Sequence, residues 1–460
     1  MKTVLLSPVD GRALAERELA TLEDIETMLD CAKTVQQEWS QTTIKERAGI
    51  CHKAIDALLQ KKDEIAHELT LQMGRPIQYA AGEISGLEER GRYMIDNAES
   101  ALADQLVEEK RGFNRFIRRE PLGVVVTIAP WNYPYLTAVN SIIPAIMAGN
   151  SVVLKHSNQT FLCAERFAEA FAAAGLPGGV FQFLHLDHAT TAQLVAHDSV
   201  NFVSFTGSVA GGESIEKSVA GYFKGLALEL GGKDPAYIRE DANLAHAIEN
   251  VLDGAFFNSG QSCCGIERVY VHESLYERFV QGAINQIYEY KLGNPLDEST
   301  TLGPMISGKA AIRVREQIQN AVAQGAQACV DTGYFERDEL GSMYVAPQLL
   351  THVNHQMNVM TEESFGPVIG VMSVANDEEA IKLMNDSLFG LTASIWTEDE
   401  EQALVIGDQL QTGTVFMNRC DYLDPALAWT GVKQSGRGCA LSPLGYQQLT
   451  RPKSFHLKRI

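Results

Sequence analysis

The sequence predicts an α/β protein built on two open, mostly parallel sheets, and three observations carry that prediction. Short apolar runs alternate with helical patterns between residues 123 and 230, and a second alternation follows from about 240 to 420. A chain of 460 residues is also too long for one ordinary core.

The first hundred residues read as helical. Thr21 with Asp24 and Thr43 with Glu46 match capping boxes, the first leading into Leu22, Ile25, Met28, Leu29, Ala32 and Val35 at helical spacing. Residues 113–119 alternate too imperfectly for a core strand and read as an exposed or interface ribbon. Apolar runs at 123–129, 151–154, 180–186, 201–205 and 226–230 then read as strands, with helical stretches such as 162–174 and 212–219 between them. The second stretch offers helices near 242–257, 274–290, 308–324, 376–385 and 399–409, and strands near 267–272, 367–374, 391–396 and 413–417. Residues 453–458 read as a final strand. No Pro- or Ser-rich linker marks a join, so a boundary near 231 rests on motifs more than on composition.

Composition narrows the function classes. With 38 Lys+Arg against 58 Asp+Glu the net charge is -20, a field that repels phosphates, so no nucleic-acid partner is expected. The apolar run after Met1-Lys2 is too short for a signal peptide, and none approaches the roughly 20 residues of a membrane span, so a cytoplasmic protein without a membrane partner is expected. Eight cysteines without a C-x-x-C pair suggest neither a zinc site nor a disulfide framework. His185 and His188 form an isolated pair, and no metal is assigned.

Ligands of open parallel sheets bind beyond the carboxyl ends of the strands, and the chemically capable residues fall there. Pro130-Trp131-Asn132-Tyr133-Pro134 follows the first strand and Lys155 the second; Phe205-Thr206-Gly207-Ser208 and Glu229-Leu230-Gly231-Gly232-Lys233 close two later ones. Gly207 and Gly212 could let backbone N–H groups approach a pyrophosphate, although such spacing is common by chance. Asn132 could cap a turn and Lys155 could be a solvated strand end. Glu229 interrupts an apolar strand and must be solvated, paired or functional. The loop Phe256-Phe257-Asn258-Ser259-Gly260-Gln261-Ser262-Cys263-Cys264 offers a reachable cysteine, whereas an inert buried thiol suits Cys31 or Cys51 better. Glu363 and Phe365 sit at a tight turn before a strand and could be structural.

Together these motifs resemble the aldehyde dehydrogenase superfamily in the correct order over nearly the whole chain, with F-x-N-x-G-Q-x-C at 256–263 and E-L-G-G-K at 229–233. The resemblance implies a Rossmann-like cofactor domain (1–111 and 122–231), a catalytic domain (232–434) and a small β oligomerisation extension (112–121 and 446–460) in a homodimer or homotetramer. It implies NAD(P)-dependent, non-acylating oxidation of an aldehyde to the carboxylic acid, with Cys263 as nucleophile, Glu229 as general base and Asn132 holding the oxyanion. The cofactor, NAD or NADP, would meet Trp131, Lys155, Asn158, Gly207, Ser208, Gly212, Leu230, Glu363 and Phe365. Asn158 stands where NAD-preferring relatives often carry a ribose-binding glutamate, which makes NADP admissible. Tyr133, Phe257 and Trp429 would line the aldehyde pocket. Trp429 replaces the commoner phenylalanine, as in betaine and amino-aldehyde dehydrogenases, which suggests a cationic substrate; an apolar tunnel for aromatic or aliphatic aldehydes is the other expectation. A CoA-acylating enzyme would usually lack the glutamate. A semialdehyde dehydrogenase would commonly place a carboxylate-binding arginine where Asn140 stands.

Overall fold

Six-residue strands buried along their whole length need cover on both faces, and Val124–Ala129 and Ser151–His156 are such strands. In the computed structural model, which describes residues 1–460, they lie in a six-stranded sheet of order Gly436–Arg437, Gly225–Glu229, Val200–Thr206, Val124–Ala129, Ser151–His156, Phe181–Phe183. The last five are parallel. Val125 and Val152 face a core shared with Ile55, Leu69, Ile84 and Phe167, while Val126 and Val153 face another shared with Ile25, Leu29, Leu194 and Ile215. This period-two split is why the strands read as unbroken apolar runs. From Val124–Ala129 the chain first builds outward on one side and then on the other, so a switch-point crevice opens beside that strand's end.

The second sheet has seven strands in the order Gln327–Ala328, Gln348–Thr351, Val368–Val374, Ile266–His272, Asp234–Ile238, Thr392–Trp396, Thr414–Met417, all parallel except the first. A third, antiparallel sheet joins Thr450–Lys458, Phe113–Pro121 and Gln105–Leu106, with Phe116 stacked on Phe455 at 4.6 Å. No helix is long and apolar enough to cross a membrane.

Several elements depart from expectation. Residues 2–18 form an antiparallel hairpin, Lys2–Leu6 with Ala13–Glu18, where the sequence read as helical. Leu5 is the one buried residue of its two strands, and Arg17 anchors the second strand to Glu165 at 2.7 Å. That carboxylate also meets His185 at 3.2 Å, while His188 opens the helix His188–Ala196. The run at 180–186 keeps only Phe181–Phe183 as strand, and the helix expected at 212–219 starts earlier, at Val209. Asp234–Ile238 and Gln348–Thr351 were not anticipated as strands, and Gly436–Arg437 returns the chain to the first sheet.

Candidate active site

Parallel pairing sets Lys155 and Phe205 on either side of Ile128, and Glu229 beside Thr206. The segments leaving these strands therefore emerge along one edge. Opposite them, the helix Leu244–Phe256 ends in the turn Phe257–Gly260, whose Asn258 (φ 55°), Ser259 (φ 56°) and Gly260 (φ 71°) are all left-handed. Left-handed non-glycine residues cost roughly 1–3 kcal/mol each unless the surroundings hold them. Here Asn258 Nδ2 donates to the Gln261 carbonyl at 3.2 Å and Gln261 Nε2 to the Asn258 carbonyl at 3.1 Å. Gln261 Oε1 accepts from the Ile306 N–H at 2.8 Å, and Ser259 Oγ donates to the Gly303 carbonyl at 2.8 Å. The held loop then delivers two cysteines to different surroundings. Both line a cavity of about 630 Å³, but Cys264 is buried, its Sγ donating to Asp421 Oδ1 at 2.9 Å, whereas Cys263 is half-buried.

Glu229, Tyr133, Phe257 and Trp429 line the same cavity. Glu229 accepts from Thr206 Oγ1 at 3.1 Å, and burial pushes its carboxyl up to about 7, against the pull of that hydrogen bond and of Arg90. The two glycines after Leu230 are there for contact: a β-carbon at Gly231 would overlap the Glu363 carboxylate, and one at Gly232 the Cys263 carbonyl oxygen. Asn132 Nδ2 donates to the Gln261 carbonyl at 3.2 Å, two residues before the cysteine, which leaves its second amide hydrogen free. Phe257 packs on Tyr79 at 5.3 Å, and the Arg75 guanidinium covers the Tyr133 ring at 4.6 Å.

The residues expected to meet a cofactor lie along the edge of the first sheet. Burial lowers the Lys155 ammonium to about 8, with Asp187 pulling the other way. Asn158 Oδ1 is buried with no hydrogen-bond partner. Ser208 caps the helix Val209–Val219 by accepting the Gly211 N–H at 3.2 Å, and Leu230 packs where a β-carbon on Gly212 would stand. Glu363 accepts the Gly232 N–H at 3.1 Å and is pushed up to about 7 by burial and by Glu267. Phe365 (φ 52°) meets Trp131 edge-on at 5.7 Å. A buried ammonium, an unpartnered amide oxygen, a raised carboxyl and the helix N-terminus capped by Ser208 suit a dinucleotide rich in hydroxyls and phosphate.

Sequence reasoning missed the groups that hold this site in place. Arg75 forms a buried ion pair with Glu83, and its Nη2 donates to the Asn132 carbonyl at 2.6 Å. Glu83 Oε1 in turn accepts the N–H groups of Tyr135 (2.9 Å) and Leu136 (3.0 Å) at the start of the helix Pro134–Met147. Buried Glu267 binds Lys233 and accepts the N–H groups of Ser364 (2.8 Å) and Phe365 (2.9 Å), which shapes the turn that carries Glu363. A signal for Glu83 existed: it shares the buried stripe of the helix Gly82–Ala101 with Ile84, Leu87, Arg90, Gly91 and Met94, where two charges break an apolar face.

Comparison with known proteins agrees with this geometry. The chain is 34% identical over 99% of its length, and 99% of the relative's, to an aldehyde dehydrogenase of Paenarthrobacter nicotinovorans. It is 32% identical to the NAD(P)+ succinate semialdehyde dehydrogenase of Escherichia coli, covering 99% of this chain and 98% of that one. The crystal structure of betaine aldehyde dehydrogenase from Staphylococcus aureus in complex with NAD+ superposes with a TM-score of 0.94 at 29% identity, over 100% of this chain and 92% of that one. The model of the "Aldehyde dehydrogenase family" matches residues 2–455, and the chain belongs to that family.

Proposed function

We propose that the chain oxidises an aldehyde to its carboxylic acid with NAD or NADP, through covalent chemistry at Cys263. The carrying observation is that Cys263, only half-buried, faces one cavity with Glu229, while Cys264 on the same wall is buried and its thiol is engaged by Asp421. The Cys263 thiolate attacks the carbonyl carbon. The free Asn132 amide hydrogen, aimed from beside Gln261, holds the oxyanion that forms. A bound nicotinamide supplies the acceptor for the hydride released as the Cys263 adduct becomes a thioester. Glu229 then takes a proton from water, which attacks the thioester and frees the acid and the thiolate. Lys155, Asn158, Glu363 and the helix start at Gly207-Ser208 would hold the cofactor, with Trp131 and Phe365 beside them.

In our reading this enzyme works in the cytoplasm as a homodimer or homotetramer, and the assembly is supported by the antiparallel ribbon of Phe113–Pro121 and Thr450–Lys458, whose second strand is largely exposed. The test is an aldehyde panel followed by absorbance of the reduced cofactor, with NAD and NADP in parallel. Cys263→Ala should abolish oxidation and Cys264→Ala should keep most of it. The reverse pattern would assign the chemistry to the wrong thiol.

A further inference from the structure

The helix Gly82–Ala101 presents to the cavity an arginine that the steps above use only through its pull on Glu229. Arg90 is 9% exposed and lines the same wall as Cys263 and Glu229. Its Nη1 donates to the Leu136 carbonyl at 2.9 Å, and it takes part in no ion pair. A guanidinium has five N–H donors, so most of this one stands ready for an acceptor that the protein does not provide. Two further groups on the cavity wall share that condition. Both side-chain polar atoms of Asn140 and the Tyr133 hydroxyl are buried without a hydrogen-bond partner. Asn140 lies one turn beyond Leu136 on Pro134–Met147, so its side chain projects from the helix face whose Leu136 carbonyl holds Arg90.

We infer that Arg90, with the Asn140 amide and the Tyr133 hydroxyl, binds a carboxylate at the far end of the aldehyde, so that the preferred substrates are short ω-carboxy aldehydes. A guanidinium fork with two neutral donors matches carboxylate geometry. The Tyr133 ring face that a cationic substrate would seek is covered by Arg75. Of the four acidic groups of the wall, Glu83 is engaged by Arg75, Asp421 by the Cys264 thiol and Glu229 by the Thr206 hydroxyl, and Asp253 alone has no such partner. The guanidinium thus reaches the wall beside Pro134–Met147 from the helix packed against it. Arg90 touches the distal carboxylate and no reacting atom, which makes it a specificity-determining residue.

This inference rests on the oxidation proposed above, and its test separates the two. The wild-type enzyme, Arg90→Met and Arg90→Lys are compared on succinic semialdehyde and on pentanal, an uncharged aldehyde of similar length. Wild type should prefer the carboxy aldehyde. Arg90→Met should lose roughly tenfold to a hundredfold in kcat/KM on it, mainly through KM, while pentanal changes less than about threefold and lysine restores part of the loss. A parallel measurement needs no variant: butyrate should compete with pentanal on wild type far better than butyramide does. A wild-type preference for pentanal, equal losses on both aldehydes, or equal inhibition by butyrate and butyramide would overturn the carboxylate site and leave aldehyde oxidation standing. Oxidation of neither these nor any panel aldehyde would overturn the parent reading and this one with it.

Discussion

Burial sets Glu229 apart from an ordinary surface carboxylate: its acid form persists to about 7. A base must be ionised before it can accept a proton from water, so the ionised fraction, and with it thioester hydrolysis, rises as pH rises through about 7 and levels off above. A deacylation rate measured in single turnovers from about pH 5.5 to 8.5 should show that rising limb, and a flat profile would detach Glu229 from the step. At the proposed cofactor edge, Asn158 carries an unpartnered, neutral Oδ1; a carboxylate beside the ribose would repel a 2′-phosphate. Asn158→Glu should lower kcat/KM for NADP about tenfold or more while NAD changes little. Equal effects on both cofactors would place the position away from the ribose.

The Arg75–Glu83 pair couples three elements: the helix Gly82–Ala101, the start of Pro134–Met147 and the strand-end loop that carries Asn132. Removing one partner strands a buried charge, which costs about 3–5 kcal/mol, whereas replacing both by apolar residues can be close to neutral. Glu83→Gln should therefore lower the unfolding free energy toward that range, with the double variant Arg75→Met/Glu83→Leu recovering much of the loss in urea denaturation. Additive losses would show that the two residues act independently. The same pair explains what the sequence withheld. Strands covered on both faces read as apolar runs, and helices opened by Thr21 and Thr43 announced themselves through capping boxes that the structure contains. Asp234–Ile238 did not, because Asp234 is a buried acid satisfied from a distant strand by Thr392, and Pro235 discourages a strand reading. Gln348 likewise sits at the start of a buried strand, its amide donating to the Val330 carbonyl at 3.0 Å. Local pattern carries no sign of partners so far along the chain.

At the scale of the molecule, two sheets meet around one cavity and the chain crosses between them more than once. After the second sheet, Ser435 accepts the Leu230 N–H at 3.0 Å through its carbonyl and donates Oγ to the Gly231 carbonyl at 2.7 Å, and Gly436–Arg437 pairs with the strand that ends in Glu229. The first sheet thus places Glu229 and Asn132, the second places Cys263, and the returning segment fastens the backbone beside the base. Motif spelling singled out those three residues as candidates; the fastening segment has no comparable signature. In the reaction proposed, this shared cavity makes a thioester on Cys263 and uses Glu229 to hydrolyse it. The most direct test is Glu229→Gln mixed with aldehyde and excess cofactor, with reduced cofactor followed by stopped flow and the protein by intact mass spectrometry. The account predicts a burst of about one equivalent of reduced cofactor per site, then near silence, with an acyl adduct on Cys263; steady turnover at the wild-type rate with no adduct would contradict it.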